Sequence, residues 1–176
     1  MKNLIRFFTV FLFLTACNQL AEKPSNRVIF NDFEAVAGWG NCDSLVTNER
    51  AHSGRYSIKA GPETEISYAY RKKLSEIFGR PPKRLQLNAW IFGPGFHNGN
   101  ASLVVEILRP GNNNQRVFEK KINLQKASSF KKWVKVSCEL NLPETIADSD
   151  VLSLYLWCNC ASKPVFADDL EVLLLE

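Results

Sequence analysis

From residue 27 onward, apolar and polar positions alternate with a period of two. In 84–92, Leu85, Leu87, Ala89 and Ile91 form one row, and Gln86, Asn88, Trp90 and Phe92 form the other. In 101–109, Leu103, Val105 and Ile107 oppose Ser102, Val104 and Glu106; in 151–160, Leu152, Leu154, Leu156, Cys158 and Cys160 oppose Ser153, Tyr155, Trp157 and Asn159. This period places alternate side chains on opposite faces of a strand. Similar runs occupy 27–34, 55–60, 64–74, 115–124, 131–140 and 164–175. Turn clusters separate them, among them Gly38-Trp39-Gly40-Asn41, Gly93-Pro94-Gly95, Asn98-Gly99-Asn100 and Pro110–Asn114. The one helical candidate is a single turn around Leu74–Phe78, stopped by Gly79 and Pro81-Pro82. About nine short strands without interleaved helices predict an all-β antiparallel sandwich. The wholly apolar rows are its predicted core, and the mixed rows set aromatics beside amides and carboxylates outside. In the last run Asp168 shares parity with Phe166, Leu170, Val172 and Leu174, which predicts an inward carboxylate. Such a group is costly unless it is paired or bound to a cation.

The first residues follow another rule. Lys2 and Arg6 precede an apolar stretch from Phe7 to Leu14, and Leu14-Thr15-Ala16-Cys17 closes it. This order is that of a secretory signal, and the stretch falls short of the about 20 residues that span a bilayer. It resembles a bacterial lipoprotein signal. The resemblance implies cleavage before Cys17, acylation of that cysteine and attachment to the cell envelope. Asn18, where an aspartate would favour inner-membrane retention, leans the expectation toward the outer membrane. Residues 1–16 are then the signal, 17–26 a lipidated tether containing Pro24, and 27–176 one domain.

Cleavage removes Lys2 and Arg6 from a chain of net charge +4, leaving it close to neutral. The remaining basic residues are scattered in short pairs, so no nucleic-acid partner is expected. Cys42, Cys138, Cys158 and Cys160 form an even set that predicts disulfides in an oxidising compartment. Cys158 and Cys160 share a strand face and are badly placed to bridge each other, so each would seek Cys42 or Cys138. Buried free thiols are the competing expectation, and zinc ranks last for lack of paired C-x-x-C spacing.

Phe33-Glu34, Gly38-Trp39 and Ala51-His52-Ser53-Gly54-Arg55-Tyr56-Ser57 come early in the domain. Leu87-Asn88-Ala89-Trp90-Ile91, Trp133-Val134-Lys135-Val136 and Phe166-Ala167-Asp168-Asp169-Leu170 follow. Together, and in this order, they resemble the jelly-roll carbohydrate-binding modules with a galactose-binding-domain-like fold. The resemblance implies a structural calcium ion held by Glu34 and Asp168, with backbone oxygens near His52 and Ser53. Oxygen-only sets suit that ion. It also implies that Trp39 and Trp133 pack in the core.

Sugar recognition needs aromatic faces beside amides and carboxylates. Trp90, Tyr155 and Trp157, with Gln86, Asn88, Glu106 and Asn159, would supply them if their strands adjoin. The Gly93–Asn100 loop, with Phe96 and His97, is a second candidate contact surface. No catalytic motif is present, and Glu106 with Glu119 or Asp169 is the only acid pair to consider. The expectation is a non-catalytic, membrane-anchored glycan binder. The alternative is an envelope lipoprotein that uses the same fold structurally or to bind a protein partner.

Overall fold

The computed structural model describes residues 24–35, 46–93, 100–111, 113–125, 131–159 and 163–175. Cys17, Trp39, Cys42, Cys160, Phe96 and His97 lie outside the described residues. Ten strands and one helical turn follow in order. They are β1 (Arg27–Asn31), β2 (Val46–Thr47), β3 (Ser57–Ala60), β4 (Tyr70–Lys73), α1 (Leu74–Ile77), β5 (Arg84–Phe92), β6 (Asn100–Arg109), β7 (Gln115–Asn123), β8 (Val134–Asn141), β9 (Val151–Asn159) and β10 (Val165–Leu174). All the pairings are antiparallel. One sheet runs β2-β3-β10-β5-β8 with β1 also on β10, and the other runs β4-β9-β6-β7.

The period-two rows become the two inner faces. Leu85, Leu87, Ala89, Ile91, Ala167 and Val172 of the larger sheet are buried against Leu103, Val105, Ile107, Leu152, Leu154 and Leu156 of the smaller one. Burying each such Leu, Ile or Val contributes about 1.5–3 kcal/mol. Leu74 and Phe78, on and after α1, join the same core. The two-residue β2 has no counterpart among the predicted strands. The 64–74 run yields only β4, because residues 61–66 make isolated bridges (Gly61 to Thr64, Ile66 to Trp157) and no ladder.

Strand β10 organises the larger sheet. Along one edge it pairs with β5 over nearly its whole length. Along the other it pairs first with β3, from Val165 to Ala167, and then with β1, from Leu170 to Leu173. A bulge interrupts β10 at this handover, between Asp168 and Glu171, and Asp169 takes a positive φ of 47°. Before the bulge, Phe166 and Asp168 lie opposite Phe92 and Trp90 on the outer face; after it, Val172 lies opposite Leu87 on the inner face. The inward direction expected for Asp168 is therefore corrected. An extra residue inverts strand parity, and the carboxylate points away from the core.

Cysteine pairing is also partly corrected. Cys158 is disulfide-bonded, whereas Cys138 is a free thiol that contacts the carbonyl of Glu139 at 3.4 Å. It lies opposite Leu87 on the inner row of the larger sheet, a place where a thiol packs as a small apolar group.

At the α1 end, a buried carboxylate fastens the approach to β9. Asp150 accepts two hydrogen bonds from Arg109, at 3.1 and 3.0 Å, and one from the Ala147 amide at 2.9 Å. Its own carbonyl accepts the Leu74 amide. Burial pushes the Asp150 carboxyl up, but the Arg109 and Ala147 hydrogen bonds and the Arg109 charge outweigh it and hold it below its ordinary value. The unfolded chain then binds the proton more tightly than the folded one, so this stabilisation is lost as pH falls through the folded value. Asp150→Asn should cost about 2 kcal/mol at neutral pH. In urea unfolding, the gap from the wild type should narrow below about pH 4, and a gap independent of pH would refute this role.

Candidate functional site

The expected aromatic platform divides between the two sheets. β5 hydrogen-bonds to β10 and β8, whereas β9 hydrogen-bonds to β4 and β6. Gln86, Asn88 and Trp90 consequently lie on the outer face of the larger sheet, and Glu106, Tyr155, Trp157 and Asn159 on the opposite outer face. Their strands do not adjoin, so a single surface built from both tryptophans is ruled out by the pairing itself.

On the larger sheet the outer polar groups are turned toward one another. Asn88, 4% exposed, donates to Glu171 at 3.0 Å and accepts from Gln86 at 3.1 Å and from Ser137. Glu171 also pairs with Arg27 at 3.3 Å. The His52 ring stacks on Trp90, with centroids 3.9 Å apart and planes 14° from parallel, and meets Trp133 edge-on at 5.7 Å. Trp133 also contacts Phe92 at 5.7 Å. Trp133 thus packs on the outer face, with the parity of Phe92, and its expected place in the core is corrected. One face of Trp90 is taken by His52.

Three carboxylates gather the 52–56 turn beside the β10 bulge. Asp168 Oδ2 accepts the amides of His52 and Ser53 at 2.7 and 3.2 Å, and its Oδ1 accepts the amide of Asp169. Asp169 accepts the Ser53 hydroxyl and contacts His52 Nδ1, both at 2.6 Å. Glu34 Oε1 accepts the amides of Arg55 and Tyr56 at 2.7 and 2.8 Å. Gly54, between them, has φ +56°, and a Cβ there would lie 2.5 Å from the Glu34 carboxyl. Asp168 is fully buried, and burial pushes its carboxyl up to about 6 even though the three amides pull it down.

These are the residues nominated for calcium. Glu34 Oε1 and both Asp168 oxygens accept backbone amides. Among the described residues no three of His, Cys, Asp and Glu converge on a point. In this arrangement the carboxylates serve as a hydrogen-bonded brace for the 52–56 turn.

The smaller sheet presents its outer face differently. The register aligns Arg71, Ser153, Glu106 and Glu119 in one rung across β4, β9, β6 and β7. Tyr155, Val104 and Lys121 form the next rung, and Trp157, Ser102 and Asn123 the one beyond. Ser153 and Glu106 are 0% and 6% exposed, yet Ser153 Oγ and Glu106 Oε1 make no hydrogen bond. Arg116 lies 2.9 Å from Glu106 Oε1 as an ion pair without hydrogen-bond alignment, and 3.4 Å from Glu119. Tyr155 hydrogen-bonds to Glu106. Burial first, then the Glu106 charge, pushes the phenol up to about 12. Lys121 stands over Trp157, 5.9 Å from the ring centroid, and pairs with Glu119 at 3.4 Å.

Sequence reasoning missed Arg71, Arg116 and Lys121. By parity Arg116 opposes Glu119, and only the β7 bulge opposite Ile107/Leu108 brings it to their face. Ile66, 50% exposed, flanks Trp157 through its bridge. Asp169, on the larger sheet, cannot pair with Glu106 as an acid–base couple.

Neither a protein-family model nor a curated protein sequence matches the chain. Solved structures do. The C-terminal family 22 carbohydrate-binding module of Clostridium thermocellum Xyn10B is similar with a TM-score of 0.53 and 9% identity, over 86% of this chain and 95% of that one. A family 16 carbohydrate-binding module aligns with a TM-score of 0.50 and 15% identity, over 73% and 83%. A family 22 xylan-binding domain aligns with a TM-score of 0.51 and 11% identity, over 86% and 97%. At these identities the likeness concerns the fold: the chain is a jelly-roll β-sandwich of the kind those modules have.

Gly54→Ala should cost about 2–3 kcal/mol, through the strained φ and through displacement of Glu34. Gly79→Ala, with open space around it, is the control and should cost nearly nothing. Equal unfolding midpoints for the two variants would remove Glu34 from the bracing role.

Proposed function

We propose that this domain binds carbohydrate without catalysis, on the outer face of the smaller sheet. The carrying observation is the placing of Tyr155 and Trp157 on this face, with Glu106, Arg116 and Lys121 beside them. Trp157 supplies an apolar ring for the C–H face of a pyranose. The likeness in fold to carbohydrate-binding modules supports the same reading. The opposite face, with Asn88 already bonded and Trp90 covered by His52, serves packing instead.

Anchoring through Cys17 belongs to this proposal. It rests on the signal-like order of residues 1–17, and two or more acyl chains give stable attachment where one does not. The domain would then hold glycan at the envelope surface, with no enzyme activity of its own.

On a broad glycan array, in the presence of chelator, the wild type should bind and Trp157→Ala should lose at least about tenfold in affinity (about 1.4 kcal/mol). Trp90→Ala should keep that affinity and lose about 2 kcal/mol of stability. Loss of binding in Trp90→Ala but not in Trp157→Ala would place the site on the other sheet, and silence of the folded protein on every glycan would defeat the reading. For the anchor, Cys17→Ser should move the protein from the membrane to the soluble fraction and abolish labelling by a palmitate analogue. Retention of both would rule out lipidation at Cys17.

A further inference from the structure

The charges on the outer face of the smaller sheet point to the class of glycan, an inference that rests on the binding proposed above. The register places four cations there, Arg71, Lys73, Arg116 and Lys121, and two carboxylates, Glu106 and Glu119. Both carboxylates are already engaged by Arg116, and Glu119 by Lys121 as well. Arg116 and Lys121 remain 54% and 56% exposed. Arg71 is exposed on the edge strand β4, in the same rung as Ser153, Glu106 and Glu119, and makes no ion pair among the described residues. A neutral polysaccharide gives these cations nothing to pair with. A carboxylate carried on a sugar ring does, and a guanidinium grips it bidentately.

We infer that the face selects an acidic polysaccharide, one bearing uronic-acid carboxylates, with Arg71 at the carboxylate position and Trp157 under a neighbouring ring. The four steps from Ser153 to Trp157 along β9 span about 14 Å at about 3.4 Å per residue. That length accommodates a short oligosaccharide lying along the strand. Arg71 thereby becomes a specificity-determining residue, distinct from the aromatic that supplies affinity for any chain.

The full chain in detergent, titrated with unsubstituted xylan, glucuronoxylan and polygalacturonate, tests this by affinity electrophoresis and calorimetry. At low salt the acidic polymers should bind about tenfold more tightly than xylan. At high salt that advantage should shrink toward parity, as exposed charges are screened. Arg71→Gln should lose about threefold to fivefold in affinity for the acidic polymers, the scale of one exposed ion pair, and keep its affinity for xylan. Tight, salt-independent binding of xylan with no acidic preference would overturn this inference and leave carbohydrate binding standing. An acidic preference unchanged in Arg71→Gln would also overturn it, and binding of none of the three, nor of any array glycan, would defeat both.

Discussion

The larger sheet depends on the carboxylates that surround the β10 bulge. β10 must hand its edge from β3 to β1, and at the handover a ladder ordinarily leaves backbone amides without acceptors. Here Asp168 accepts the amide of Asp169 at the bulge, and Asp168, Asp169 and Glu34 together bind the 52–56 turn beside it. Burying charged groups costs several kcal/mol unless hydrogen bonds compensate, and Asp168 retains part of that cost in its raised pKa. The arrangement gives the seam a fixed geometry. His52 then lies flat on Trp90 because its own amide is held by Asp168.

This seam also explains why the two outer faces differ in their polar pairing. Around it, every polar side chain of note is answered by another: Asn88 by Glu171, Gln86 by Asn88, Ser53 by Asp169. On the smaller sheet, among the described residues, Glu106 is met by Arg116 and Tyr155, and Ser153 Oγ has no hydrogen-bond partner. Self-satisfied polarity produces rigidity, and leftover polarity leaves a demand that a ligand can meet.

Much of the architecture is legible in the sequence because burial enforces period two. The rows of β5, β6 and β9 fall as their alternation predicts, and α1 begins at the residue where the turn chemistry places it. Two departures share one cause. Asp168 and Arg116 both sit beside bulges, and a bulge has no reliable local signature when neither residue is glycine. Trp90 and Trp157 look alike in sequence, each on a mixed row beside an asparagine; only long-range pairing assigns them to different sheets. The carboxylates near Ser53 are visible as a cluster, but whether they hold N–H groups or a cation depends on turn geometry that spacing does not encode.

The edges of the smaller sheet carry a consequence for how this protein can change. Among the described residues β4 and β7 each have one open side, a row of amides and carbonyls that invites a strand from another molecule. Arg71, Lys72 and Lys73 guard one of these borders, and Lys120 and Lys121 guard the other. The cations assigned to ligand choice are therefore also the ones that keep neighbouring copies apart. Wherever copies crowd side by side, substitutions that remove this positive charge would bring the chain closer to self-association. Selectivity and solubility are tied to the same few side chains, so neither can drift far without the other.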